Sequence, residues 1–227
     1  MTTRPVRLLD TGPGAPAWNM ALDEALLAGD DTTMRFYSWD PVGISLGRWQ
    51  DIAAFTHRPE PVVRRLTGGG AILHSDALTI SLTVPMSDPL YAGPVAASYE
   101  RVHGWITAAL GAAGLAVTPV GAAGDETDPW CFERRSAADL EAADGSKIVG
   151  SAQRRRGGRV LHHASIQVEG VDGGDLAAHL ADHLGILAFE PRPGAPTKAE
   201  TAEADRLALG RYGPDTTWTR ETNRPAP

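Results

Sequence analysis

The sequence predicts an α+β domain, a mostly antiparallel or mixed sheet with helices packed on it. Short apolar runs bounded by Gly, Pro and Asp recur as strands, and stretches with apolar residues three and four apart recur as helices. Two of the strand candidates are joined by a short turn with two glycines, as a hairpin requires. At 227 residues the chain is long enough to bury a real core. It reads as a single domain over 1–227, with its core over about 5–190 and a C-terminal helix and loose tail over 199–227.

Taken in order, Val6–Asp10 is a strand that stops at the Gly-Pro-Gly turn of Thr11–Gly14. Trp18–Ala28 is an amphipathic helix, with Trp18, Leu22, Ala25 and Leu26 on one face and Gly29 as its stop. Asp23 and Glu24 fall on or near the opposite face, and Asn19 and Asp23 are read as structural. Met34–Trp39 and Val42–Gly47 are strands joined across Asp40-Pro41. Val62-Val63, Ala71–Leu73 and Leu78–Val84 are strands around a glycine loop. Met86–Pro94 is a loop, Ala97–Gly114 a second helix, and Leu115–Pro119 a short strand. Val120–Pro129 is an acidic loop. Lys147–Gln153 and Val160–Val168 form the hairpin, its turn carrying Arg154, Arg155, Arg156 and Arg159. Asp175–Leu184 is a helix with an Asp cap, Phe189–Pro196 is irregular, and Ala199–Tyr212 is the last helix.

Composition excludes several classes. No apolar run approaches the ~20 residues that span a bilayer, and the N-terminus lacks the apolar core of a signal peptide. One cysteine, Cys131, excludes an internal disulfide and any multi-cysteine metal site. The expectation is a cytoplasmic protein. A net charge of −7 argues against nucleic acid as the main partner. The arginine cluster is a local exception and suits a small acidic partner, or is simply a solvated loop.

Arg64-Arg65-Leu66-Thr67-Gly68-Gly69-Gly70-Ala71, followed by an apolar run to His74, is the stretch around which the chain is organised. Three consecutive glycines cost backbone entropy and bury no side chain, so a stable domain keeps them where a ligand or another backbone approaches closely. The reading is a glycine loop with its amides toward a pocket and both arginines at the rim.

Seven segments in order resemble the superfamily of lipoate and biotin protein ligases and octanoyltransferases. They are Leu9–Gly12, Asn19–Glu24, Arg35-Phe36-Tyr37, Gly47–Gln50, Arg64–Ala71, Gly145–Gln153 and His162-His163. Leu78-Thr79-Ile80-Ser81, and Cys131-Phe132-Glu133-Arg134-Arg135-Ser136 with Asp139, are similar to stretches of the cysteine-dependent octanoyltransferases. Gly70 is ligase-like, and Ala164 stands where both groups usually have glycine.

The resemblance implies a biotin/lipoate ligase-like catalytic domain in which Cys131 and Lys147 are catalytic. On its own a lone cysteine is more often a small buried hydrophobe, and a lysine in a hairpin is usually solvated. Here Cys131 is expected to accept the acyl group, with Lys147 as its positive neighbour and as the group that holds the acyl oxygen. Arg65, Thr67, Gly68, Gly69, Gly70, Ala71, His74, Gly150, Ser151, Ala152 and His163 are the expected substrate-binding residues. His163 is expected to orient the strand of Lys147. His74 and the pair His162-His163 are bases or structural supports, and no metal site is expected.

The implied function is an octanoyltransferase that takes its acyl group from acyl carrier protein. It would pass that group to a lysine of a lipoyl domain or glycine-cleavage H protein, with no ATP or metal. The alternative is an ATP-dependent lipoate ligase that uses ATP and Mg, with Lys147 on a lipoyl-adenylate and Cys131 incidental. Biotin ligation fits less well, since no DNA-binding or C-terminal β-barrel segment is evident. A non-catalytic carrier-binding protein is the third reading, and the presence of Lys147 weighs against it.

Overall fold

A computed structural model describes residues 2–75, 77–121, 124, 128–168 and 170–221. Among them, eight strands form one mixed sheet in the order β11-β1-β2-β6-β10-β9-β8-β7. These are β1 (Arg4–Gly14), β2 (Thr33–Trp39), β6 (Ala77–Pro85), β7 (Thr118–Pro119), β8 (Leu140–Glu141), β9 (Lys147–Arg156), β10 (Arg159–Gln167) and β11 (Phe189–Pro193). β11 and β2 run parallel to β1, and the other pairs are antiparallel. A second sheet pairs β3 (Gly43–Leu46) with β4 (Val62–Arg64) in parallel and with β5 (Ile72–His74) antiparallel. The α+β class with a mixed sheet is as expected. No described helix is long and apolar enough to cross a membrane.

Strand alternation divides the large sheet into two unlike faces. Met34, Phe36, Leu78, Ile80, Leu82, Val84, Val160, Ala164 and Ile166 point to one side. There they pack with Trp105 and Ile106 of α2 (Val95–Ala112) and Leu176 and Leu180 of α3 (Gly173–Asp182). The other side is polar yet buried, with Arg35, Thr79, Ser81, Thr83, His163 and Ser165. α1 (Pro16–Ala28) covers that side, backed by α4 (Lys198–Gly210) through Leu22, Leu26, Ala204 and Leu207. A cavity lies between this polar face and the small sheet.

The structure corrects several expectations. The turn foreseen at Thr11–Gly14 is a continuation of β1, with a register shift between Asp10 and Pro13 absorbed where Gly12 takes a φ of +58°. Phe189–Pro193 is a strand, not irregular chain. It lies at the sheet edge, where Pro191 and Pro193 need no ladder donor on the open side. β2 and β3, read as joined strands, belong to different sheets. The cap of α3 is Asp172, which accepts from the amides of Gly174 (2.8 Å) and Asp175 (3.2 Å). Asp23, read as structural, is fully buried and reaches the glycine loop through His163 and Thr67.

The tail foreseen as loose is docked as far as Glu221. α5 (Thr217–Arg220) brings Trp218 onto β4, where its Nε1 donates to Arg64 O at 2.9 Å. Residues 222–227 lie outside the described residues, as do Asp125 and Glu126 of the acidic loop.

Candidate active site

Three segments meet over the cavity: the turn after β3, the glycine loop after β4, and the segment 128–135. Their backbones pack directly on one another. A Cβ at Gly47 would lie 1.9 Å from Gly69 O, and one at Gly70 would lie 2.7 Å from Cys131 N. Ala71 N donates to Pro129 O (2.8 Å) and Cys131 N to Ala71 O (2.7 Å), so the glycine loop and the cysteine segment form one unit. Gln50 closes it, accepting from Gly47 N (2.8 Å) and donating to Pro129 O (2.7 Å).

Arg64 and Arg65 are buried struts rather than rim residues. Carbonyls of an irregular loop need partners when buried, and the two guanidiniums supply them. Arg64 donates to the carbonyls of Gly47, Arg48 and Gln50 and to those of Trp218 and Thr219. Arg65 donates to Ser45 O, Gly68 O and Gly70 O at 2.9, 2.6 and 2.7 Å. Burial holds the Arg65 guanidinium down to about 10, against the pull of Cys131 and Tyr37.

Cys131 is half-buried and borders two spaces. Inward is an apolar cavity between the sheets, walled by Met20, Tyr37, Trp39, Ile72 and Ala164. Outward is a polar cleft bounded by Gly68, Gly69, Gly70, Tyr99, Arg134 and Lys147. Lys147 Nζ lies 3.7 Å from Cys131 Sγ, pairs with Asp139 Oδ2 at 2.7 Å, and donates to Cys131 O (2.7 Å) and Arg134 O (3.2 Å). Its three protons are therefore directed to Asp139 and the two carbonyls, and the sulfur is reached by charge. The side chains of Lys147 and Asp139 are only 5% and 7% exposed. Gly150 leaves room for the pair, since a Cβ there would sit 3.1 Å from Lys147 Cε and 3.4 Å from Cys131 Sγ.

The remaining expected site residues separate. Arg65, Gly69, His74, Gly150, Ser151, Ala152 and His163 line the inner cavity. Gly68 and Gly70 face the outer cleft, which Gly69, Ser151 and Ala152 also border. Thr67 and Ala71 act instead as framework, Ala71 through its bridge to Trp130 and Thr67 through His163. His163 pairs through its backbone with Ala152 of β9, the strand of Lys147. Its Nδ1 meets Thr67 Oγ1 (3.1 Å) and its Nε2 meets Asp23 Oδ2 (2.9 Å), so it ties the glycine loop to α1.

Asp23 also accepts from Arg35 (2.8 Å), Tyr37 (2.7 Å) and Ser81 (2.7 Å). Burial alone would raise its pKa, but Arg35, His163 and the Ser81 hydrogen bond hold it well below the usual carboxylate range. His74 stacks on Trp39 with ring centroids 3.8 Å apart and meets Ser45 Oγ at 2.8 Å. Burial, reinforced by Arg65, pushes its pKa well below the ordinary value. His162 points to the opposite face, among Tyr91 and Tyr99, and does not belong to the site.

Two contributions escape a reading of the sequence. Asp139 appears there only as part of a motif and an acidic run, not as the counterion of Lys147. His103, in the middle of α2, bonds Ala138 O through Nδ1 and Ser151 Oγ (2.6 Å) through Nε2. It thus joins the residue before Asp139 to a wall of both spaces. Its helical position carries no local signal of this, because both partners are remote in sequence.

A family model described as the lipoyl protein ligase A/B catalytic domain matches residues 15–183. Among curated proteins, the chain is similar to octanoyltransferase LipM of Moorella thermoacetica, 41% identical over 189 residues that cover 77% of this chain and 68% of that protein. It is 40% identical to octanoyltransferase LipM of Exiguobacterium sp. over 185 residues, covering 73% and 67%. With octanoyltransferase LipM of Symbiobacterium thermophilum the identity is 30% over 269 residues, covering 92% and 96%. Among solved structures, a lipoate-protein ligase A bound with ATP superposes with a TM-score of 0.75 at 23% identity, covering 97% of this chain and 99% of that one. The bipartite lipoate protein ligase of Thermoplasma acidophilum gives 0.74 at 21%, covering 100% and 99%. At these identities the two structures bear on the fold.

Proposed function

Because this chain belongs to the lipoyl protein ligase A/B catalytic-domain family, we propose that it is an octanoyltransferase working through a thioester on Cys131. The observation that carries the reading is the position of that sulfur, at the junction of an apolar cavity and a polar cleft and beside Lys147. An acyl chain lies in the inner cavity, and the group it arrives on or leaves for occupies the outer cleft. The similarity to octanoyltransferases supports an eight-carbon chain, and membership of a family described as lipoyl protein ligases supports a lipoyl-protein acceptor.

In the first step the Cys131 thiolate attacks the carbonyl of an octanoyl thioester carried by acyl carrier protein. The new C–S bond forms, the carrier's C–S bond breaks, and the carrier thiol takes up the proton that Cys131 gave up. Lys147 on the outer side and Arg65 on the inner side supply positive charge to the thiolate and to the oxyanion. The amides of Gly68, Gly69 and Gly70 donate to no acceptor among the described residues and are free to hold that oxygen. In the second step an acceptor lysine amine attacks the acyl-enzyme, an amide forms, and the cysteine thiol is restored. The thioester supplies the driving force, so ATP is not required.

The test is transfer of octanoyl from acyl carrier protein to a lipoyl domain without ATP. The wild type is expected to octanoylate the acceptor lysine, Cys131→Ser to fail, and Lys147→Met to lose about a hundredfold or more in rate. Acceptor modification that needs ATP and free acid, and that survives Cys131→Ser, would instead make the chain a ligase.

A further inference from the structure

The arginines that form one cluster in the sequence are divided by the fold. Arg155 turns toward α2, where Nη2 donates to Ser98 Oγ (3.2 Å) and Gln153 Oε1 (3.3 Å). Arg159 Nη1 donates to Asp30 O (2.9 Å). Arg154 and Arg156 are left on the other face of β9, the face that carries Gly150 and Ala152 into the site.

Two arginines from remote segments join them around Trp218. The guanidiniums of Arg48 and Arg211 lie 4.8 and 4.1 Å from its ring centroids. Trp218 packs on Leu66 and Leu161, and Leu161 stands directly opposite Arg154 in the β9–β10 ladder. Partial burial, with Arg154, Arg211 and Arg156 close by, lowers the Arg48 pKa from its ordinary value. Arg211 is paired with Glu24 at 3.2 Å. Among the described residues Arg48, Arg154 and Arg156 have no carboxylate partner. Arg48 Nε and Nη1 and the Nε atoms of Arg154 and Arg211 are buried without an acceptor. On a chain of net charge −7, this patch concentrates unneutralised positive charge.

Its place is also specific. Arg48 N donates to Thr67 O (2.8 Å), which sets the residue against the glycine loop. Arg154 is four residues along β9 from Gly150, roughly 13 Å at about 3.3 Å per residue, and Gly150 touches Cys131. Guanidiniums without a carboxylate partner match phosphate and carboxylate oxygens alike, and the pantetheine arm of a carrier protein supplies the phosphate.

We propose that Arg48, Arg154, Arg156 and Arg211 form the docking surface for acyl carrier protein, binding the phosphate of its pantetheine arm and the acidic surface around it. The arm then runs along the β9 face to deliver its thioester to Cys131. The proposal rests on the thioester-donor reading above and adds the surface that selects the donor.

The experiment follows acylation of Cys131 by intact mass over time, with octanoyl-acyl carrier protein and with octanoyl-pantetheine, which has neither phosphate nor protein. Wild type is compared with Arg154→Glu/Arg156→Glu. The double variant is expected to lose about tenfold or more in kcat/KM with the carrier, through KM, together with most of the salt dependence, and to match wild type with octanoyl-pantetheine. Equal rates with the carrier, or an equal loss with both donors, would overturn the docking surface. So would a raised KM for the lipoyl domain alone, which would give the patch to the acceptor. If wild type is acylated by neither donor, the thioester reading itself fails.

Discussion

His74, His103 and His162 are buried in this fold, and none of them moves a proton in the proposed chemistry. Burial lowers the pKa of each, outweighing for His103 the opposite effects of the Ala138 carbonyl and Asp139. Each is neutral in the folded state but binds a proton near 6.5 when unfolded. Their contribution to stability is therefore fully present above pH 6.5 and is lost as pH falls below it, by up to about 1.4 kcal/mol per pH unit for each histidine. Among the described residues neither ring nitrogen of His162 has a partner, so His162→Leu should cost little at pH 7.5 and should flatten the acid limb by one proton. Urea midpoints from pH 5 to 7.5 decide this, and an unchanged slope would contradict it. At this scale the sequence is legible where chemistry is local. Cys131, Lys147 and Gly150 stand in short stretches that resemble those of a known family, and the fold brings the three together. His103 and the pairing of Asp139 with Lys147 are not legible, because the partners of each are remote in sequence.

At the scale of elements, the site depends on backbones packed against backbones. Gly47 touches Gly69 and Gly70 touches Cys131, so the glycine loop positions Cys131 without any side chain between them. Gly47→Ala must push Gly69 away, since a Cβ there would lie 1.9 Å from its carbonyl oxygen. A displacement of about 1 Å can cost a hundredfold in rate, so the variant is expected to fold, by circular dichroism, and to lose about that factor in kcat. Near-wild-type kcat would show that the loop is not what sets the cysteine in place. The glycines themselves announce this loop in the sequence. The segments it packs on do not, since the 128–135 segment lies about sixty residues away and has no regular periodicity. β11 is hidden for a different reason: two prolines in five residues argue against a strand unless its edge position is already known.

Over the whole molecule, one sheet does two jobs. Its apolar face forms the core with α2 and α3, and its polar face, covered by α1 and by the network around Asp23, forms one wall of a cavity that Cys131 also lines. A strand pattern with polar residues on its second face would ordinarily read as solvent-facing, and that is why the cavity is not legible from periodicity alone. Arg64 couples the site to the far end of the chain by holding both the turn that bears Arg48 and the carbonyls of α5, so that residues foreseen as a loose tail frame the arginine patch. The central claim is that acyl groups pass through Cys131. Intact-mass analysis after mixing the protein with octanoyl-acyl carrier protein, without ATP or acceptor, tests it most directly. One octanoyl adduct that maps to Cys131, is absent in Cys131→Ser and chases onto a lipoyl domain is the expected result. An unmodified protein that nonetheless transfers octanoyl to the acceptor would contradict it.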